Sequence, residues 1–144
     1  MEELKENISK FLKNEPVITL ATERGGQPMT HPVVYASDGP VVYFITSPTS
    51  RKVENISKNP QVAYSVYRNT SDWLQTYSVQ MEGKASLVPD GEEKEKALSM
   101  LMEKFPMMKD MGSGSAQALV KVDPGTCRLA DYSKGFGHVD LIEY

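Results

Sequence analysis

The chain has 144 residues, 40% hydrophobic and 24% charged, with 19 acidic against 16 basic side chains and a net charge of −3. That length and balance fit one soluble domain spanning residues 1–144 with its own core; they exclude a disordered chain and a broad nucleic-acid surface, which needs a clustered basic excess. The one cysteine, Cys127, excludes an intrachain disulfide and a cysteine metal cage, no metal centre is expected, and no apolar run approaches the roughly 18 residues that span a bilayer.

In the first segment Leu4, Ile8, Phe11 and Leu12 recur at helical spacing, and Asn14 and Pro16 end the pattern. Its charges, with no continuous apolar stretch, are unlike a signal peptide and point to the cytoplasm. Val17 to Thr22 reads as a strand, and Arg24 to Gln27, holding two glycines, as a turn. From Pro28 to Ala36 residues alternate, with Met29, His31, Val33 and Tyr35 on one face. A turn at Ser37-Asp38-Gly39-Pro40 leads into Val41 to Thr46, apolar enough for a strand covered on both faces. Three strands and two tight turns predict an antiparallel meander.

Ser47 and Pro48 are expected to open a short helix, as N-cap and first helical residue, running to about Lys58 with Val53 and Ile56 inward. Asn59 and Pro60 stop it, and Gln61 to Tyr67 alternates as the next strand. A long strand is expected from Trp73 to Val88, with a bulge or bend at Gly83. Pro89 to Gly91 then starts a second long helix reaching about Phe105, with Ala97, Leu98, Leu101 and Phe105 as its stripe. Pro106 to Ser115 reads as a mobile loop carrying Met107, Met108 and Met111. Ala118 to Val122 and Cys127 to Tyr132 are expected to form a hairpin around Asp123 to Thr126, with Val139 to Tyr144 as the last strand and Cys127 a small core residue. The order predicts a mainly β fold, a six- to seven-stranded antiparallel split barrel with helical lids.

The chemically richest segment is Thr46 to Lys52, which packs four hydroxyls, two fixed cations and a helix start into seven residues. Free backbone donors in a first helical turn point at an incoming anion; Arg51 grips two phosphate oxygens through its planar fork and Lys52 supplies a compact charge. Cations normally sit at a helix's other end, so two here are mildly unfavourable unless an anion lies between them. Read locally, the same residues also fit a plain cap with two solvated cations.

The wider pattern is more specific. The run Pro16 to Thr22, Thr30-His31-Pro32-Val33-Val34-Tyr35, Tyr43 to Thr46, Ser50-Arg51-Lys52-Val53 and Asn59 to Ala63 resembles the split-barrel flavoproteins related to pyridoxamine 5'-phosphate oxidase, in their general-stress-protein and nitroimidazole-resistance branches. The resemblance covers about residues 15–88 in spacing as well as type. It implies flavin mononucleotide (FMN) as cofactor, with Ser50, Arg51 and Lys52 on its phosphate, and Ile45, Thr46 and Ser47 along the ribityl chain and ring. It also brings His31, Pro32, Val33 and Val34 to the cofactor, with histidine where the family often has arginine, and Ser78 where it often has a ring-touching glutamine. A homodimer with FMN between subunits is implied too, the partner's C-terminal residues covering the ring.

The true oxidase closes on its substrate with a C-terminal tryptophan and arginine, and this chain has neither after Arg128. Vitamin B6 oxidation is therefore set aside. The expectation is an FMN-dependent reductase of small electrophiles such as quinones or nitro compounds, drawing on NAD(P)H, without nucleic-acid or membrane partners. A flavin-binding stress protein without turnover and a haem-binding barrel with a histidine ligand are the alternatives. Because a flavin carries its own chemistry, no residue is singled out as catalytic. His31 and His138 are possible proton donors, and Trp73, Tyr132 and Phe136 possible ring-stacking groups.

Overall fold

The computed structural model describes residues 1–111 and 117–144. Helix α1 spans Glu2–Asn14 and buries Ile8 and Leu12. It ends at an extended Glu15, and the carbonyls freed there are capped from afar: Lys104 Nζ donates to Leu12 O at 3.3 Å and to Glu15 O at 2.7 Å. Strands β1 (Val17–Arg24) and β2 (Gln27–Val34) form a hairpin whose two-residue turn, Gly25 and Gly26, has φ of 58° and 87°. That left-handed pair is what a turn matching the strands' twist requires, and glycine adopts it without strain.

The expected meander does not form. After Tyr35 the chain enters β3 (Ala36–Asp38), which pairs with β4 (Val41–Thr46), whereas β2 has no ladder to either. The main path runs β2-β1-β5-β6-β7-β4-β3, where β5 is Gln61–Tyr67, β6 Tyr77–Leu87 and β7 Ala118–Asp131; β8 (Val139–Glu143) branches off β7. All pairings are antiparallel. The two ends of the path, β2 and β3, are thus joined through one residue, Tyr35, whose buried hydroxyl donates to Leu12 O at 2.6 Å. The fold is mainly β, a curled antiparallel half-barrel with seven strands on its path and three helices.

Three further expectations are corrected. Trp73 to Gln75 is a 3-10 turn held by Asp72, which accepts from Leu74 N at 3.0 Å, so β6 starts at Tyr77. No hairpin surrounds Asp123 to Thr126; β7 continues through the segment as one strand, which takes up its extra residue, Gly125, at the register shift opposite Glu82/Gly83. A Cβ on Gly83 would collide with the Asp123 carbonyl oxygen, which is why the shift needs glycine. Of the loop expected from Pro106 to Ser115, residues Pro106–Met111 form a 3-10 turn and residues 112–115 lie outside the described ones.

The core has two parts. Inside the barrel Ile18, Leu20, Val42, Phe44, Tyr64, Val79, Met81, Cys127 and Leu129 pack together; burial pushes the Cys127 thiol up to about 11. Outside it, helix α3 (Glu92–Lys104) lays Ala97 and Leu101 on Tyr43, Val88 and Leu119. β4 is therefore covered on both faces, as its composition requires. Among the described residues no helix is long and apolar enough to cross a membrane.

Candidate functional site

The helix after β4, α2, spans Arg51–Lys58, three residues later than expected. Ser47 caps only the preceding turn, accepting from Thr49 N at 3.3 Å through its hydroxyl and from Ser50 N at 3.0 Å through its carbonyl. The N-cap is Ser50, whose side chain accepts from Val53 N at 3.4 Å and from the Thr46 hydroxyl at 3.3 Å. Arg51 and Lys52 thereby become the first two helical residues. Their backbone N–H groups are two of the donors a helix start leaves unpaired.

Neither cation has a carboxylate partner among the described residues. The one acid of the first turn, Glu54, is engaged by Arg24 at 2.6 Å and by Lys58 at 3.9 Å. Arg51 is exposed and Lys52 half-buried. Such an arrangement, two fixed cations and free amides at the positive end of a helix, repels its own charges and attracts an anion.

α2 is seated on the β1–β2 hairpin by polar contacts. Asn55, fully buried, donates to Thr22 Oγ1 at 3.0 Å and to Met29 Sδ at 3.4 Å, and Asn59 donates to Glu23 Oε2 at 2.6 Å. Thr22 Oγ1 lies 2.9 Å from His31 Nε2. The half-buried His31 ring is held below its ordinary pKa first by burial and then by Lys52 and Arg51, so it stands within electrostatic reach of both cations.

The fold thus gathers His31, Thr46, Ser50, Arg51 and Lys52 around one helix start. Of the others, Ser47 is exposed in the adjoining turn, Val33 packs against the barrel core, and Pro32 and Val34 face outward. Ile45 packs beneath α3 instead. Ser78 lies apart: it pairs with Tyr67 and Ala130, at the end of the β5–β6 ladder remote from Thr22, and accepts from Gln80 at 3.4 Å. Near that end Tyr132 and Phe136 have ring centroids 5.4 Å apart, and Phe136 and Trp73 6.4 Å apart, with Trp73 and Phe136 each 72% exposed. His138 Nε2 is 3.1 Å from Asp140 Oδ2. The residues that the pattern reading missed are Thr22 and Asn55; the signal was an amide beside Ile56 on the inward face that α2 shares with Val53.

An open cleft of about 550 Å³ lies nearby on the outer face, over the register shift, lined by Thr22, Glu23, Pro28, Ala63, Glu82 and Lys84 among others. It lacks Arg51 and Lys52, and its two carboxylates suit an anion poorly, so the helix start is the better candidate on chemical grounds.

The curled sheet, its split at β7 and the helical lids define a split barrel of the pyridoxamine-phosphate-oxidase-like kind. The chain belongs to the pyridoxamine 5'-phosphate oxidase family, whose sequence pattern matches residues 4–130. It is 27% identical over 128 residues to general stress protein 26 of Bacillus subtilis (strain 168), covering 89% of each chain. A haem-binding protein from Mycobacterium smegmatis superposes with a TM-score of 0.83 at 21% identity, over 96% of this chain and 57% of that one. An FAD-binding protein from Mesorhizobium loti superposes with a TM-score of 0.66 at 22% identity, over 81% of this chain and 86% of that one. Those two likenesses speak to fold, and the fold is shared by flavin and haem binders.

Proposed function

We propose that this protein binds FMN through the start of α2 and is an oxidoreductase that reduces small electrophiles, with NAD(P)H as electron source. The observation that carries the reading is the pair of cations in the first turn of α2 with no carboxylate partner among the described residues, beside His31 and a hydroxyl cap. A phosphate dianion fits that donor set: Arg51 offers a fork, Lys52 a point charge, and the Arg51 and Lys52 amides the remaining hydrogens. A neutral ligand does not need it. Bound flavin would supply the hydride or electron transfer, and the chain's part is to hold and orient it.

Arg51 is open to solvent, so one protomer gives the phosphate a seat but the ring little cover. A homodimer with the flavin at the seam supplies the second wall, and Ser78 with the exposed Trp73 and Phe136 would then reach the ring from the partner side. The exposed pair is an apolar surface that an unassembled chain has no use for.

The test is spectral and thermodynamic. The purified protein should be yellow, and FMN should bind far more tightly than riboflavin, which lacks the phosphate. In Arg51→Ala with Lys52→Ala that preference should fall by about a hundredfold, the loss of two charge-assisted contacts. Equal weakening of both ligands would place the phosphate elsewhere. A Soret band without flavin would favour the haem reading, which the Mycobacterium smegmatis likeness keeps open. Bound flavin with no NAD(P)H oxidation by any added acceptor would leave a binding protein rather than an enzyme.

A further inference from the structure

Asn55 is a costly choice for the seat of α2. It is fully buried, yet its Oδ1 has no hydrogen-bond partner among the described residues. A buried acceptor left unpaired carries its full desolvation penalty, which an apolar side chain of similar size avoids. The return is its grip on Thr22. One amide hydrogen reaches Thr22 Oγ1 at 3.0 Å and the other meets Met29 Sδ at 3.4 Å. The sulfur fixes which way round the amide sits, since nitrogen has a hydrogen to offer it and oxygen has none.

Thr22 is 2% exposed, and its hydroxyl carries a single hydrogen. With an amide hydrogen arriving from Asn55, the acceptor left for it among the described residues is His31 Nε2, 2.9 Å away. A ring nitrogen that accepts is the one without the proton. In that arrangement the imidazole hydrogen falls to Nδ1, which bonds to no described residue.

We propose that Asn55 and Thr22 lock His31 as the neutral imidazole protonated on Nδ1, giving the anion site an uncharged N–H donor beside two permanent cations. The site's use of that donor rests on the FMN reading above; the lock itself does not. The charges that bear on the ring are Lys52 and Arg51, both of α2, and the facing strand β1 presents Leu20 and Thr22, neither ionisable. Burial and both cations oppose a third positive charge. The protein's side of the site then keeps one charge through the range where an exposed histidine titrates, leaving the ligand's own phosphate as the group that changes there. Thr22 and Asn55 are positioning residues in this scheme.

Protein labelled with ¹⁵N at histidine tests it, through long-range proton–nitrogen spectra with and without FMN from about pH 5.5 to about pH 8, the span around an ordinary histidine pKa. His138→Gln assigns the two rings. The native His31 should keep the neutral, Nδ1-protonated pattern throughout. In Thr22→Val, which keeps the shape and removes the hydroxyl, His31 should lose its single Nδ1-protonated pattern and show both neutral tautomers, and its pKa should rise from the native value, burial and the two cations still opposing the charge. The preference for FMN over riboflavin should follow only the phosphate's own second ionisation, at about pH 6, in the native protein; at the acid end it should be several-fold larger in Thr22→Val than in the native protein, and Thr22→Ser should restore both behaviours. If Thr22→Val does not fold, Asn55→Leu carries the same two readouts. A native ring that titrates ordinarily or carries its proton on Nε2, or a valine variant with an unchanged ring, would overturn the lock. A locked ring with FMN and riboflavin bound alike would confirm the lock and overturn the phosphate reading instead.

Discussion

Two helices lie over this barrel on opposite terms. α3 rests on an apolar cluster through Ala97 and Leu101, and its first turn holds Glu92, Glu93 and Glu95, the charges that a helix's positive end favours. Glu93 is satisfied as well, accepting from the Tyr43 hydroxyl at 2.8 Å and lying 2.8 Å from Lys121 Nζ. α2 seats Val53 and Ile56 together with the hydrogen bonds of Asn55 and Asn59, and opens with two cations that no described residue neutralises. The first helix is explained by the fold alone. The second asks for a charge from outside.

The comparison can be attacked at either helix. The largest effect is expected from Leu101→Ala, which empties a site 1% exposed: about 2–5 kcal/mol of stability, read from denaturant midpoints, with the FMN-over-riboflavin preference unchanged. Next is the response of α2 to its ligand. FMN at a hundredfold over its dissociation constant should stabilise the native protein by about 2.7 kcal/mol, and Arg51→Ala with Lys52→Ala should lose most of that in thermal melts. Without FMN the same change should be neutral or stabilising by about 0.3–1 kcal/mol per charge removed, since each opposes the dipole. A ligand-free protein clearly weakened by it would mean that those cations are structural and the contrast is false.

A smaller effect concerns Lys104, which ties the end of α3 to the end of α1. Burial lowers its pKa to about 8 from the ordinary 10.5, against the weaker pull of Glu15. The folded chain then releases this proton before the unfolded chain does, so the Lys104 contribution to stability should rise with pH from about 8, opposed from about 9 by Cys127, whose thiol ionises first in the unfolded chain, and from about 10 by the tyrosines. Lys104→Met should flatten that rise in melts taken across the same range. Smallest of all is Tyr64→Phe. The buried Tyr64 hydroxyl has no partner among the described residues, so removing it should change stability by no more than about 0.5 kcal/mol, or raise it.

Much of this was legible in the sequence, and the failures are instructive. Periodicity marked α1 and β5 within a residue or so, because each buries one clear set of side chains, and the continuous apolar run marked β4, which is covered on both faces. It could not show that β2 and β3 part company at Tyr35, since the β-prone run continues there with no turn residue to signal a change of partner. Asp123-Pro124-Gly125 has turn chemistry but is spent on a register shift within one strand, where it pairs across from Glu82 and Gly83. At the site the cations were readable from type and spacing. The exact cap was not, because Ser47 and Ser50 are equal candidates until Thr46 and Val53 choose between them. Thr22 and Asn55 were invisible as a pair, since only the packing of α2 on β1 brings them together.

The joint at Tyr35 has a consequence for how the chain is made. As it emerges from the ribosome, β4 finds only three-residue β3 as neighbour, and its other edge stays bare until Ala118 to Val122 arrive to pair with it. Val42 and Phe44, fully buried once folding ends, spend that interval on an open strand edge, the feature most prone to pairing with the wrong chain. Nascent chains that stop before β7 should therefore be the sticky ones, and completion of that one strand the moment at which the protein becomes safe from its own kind.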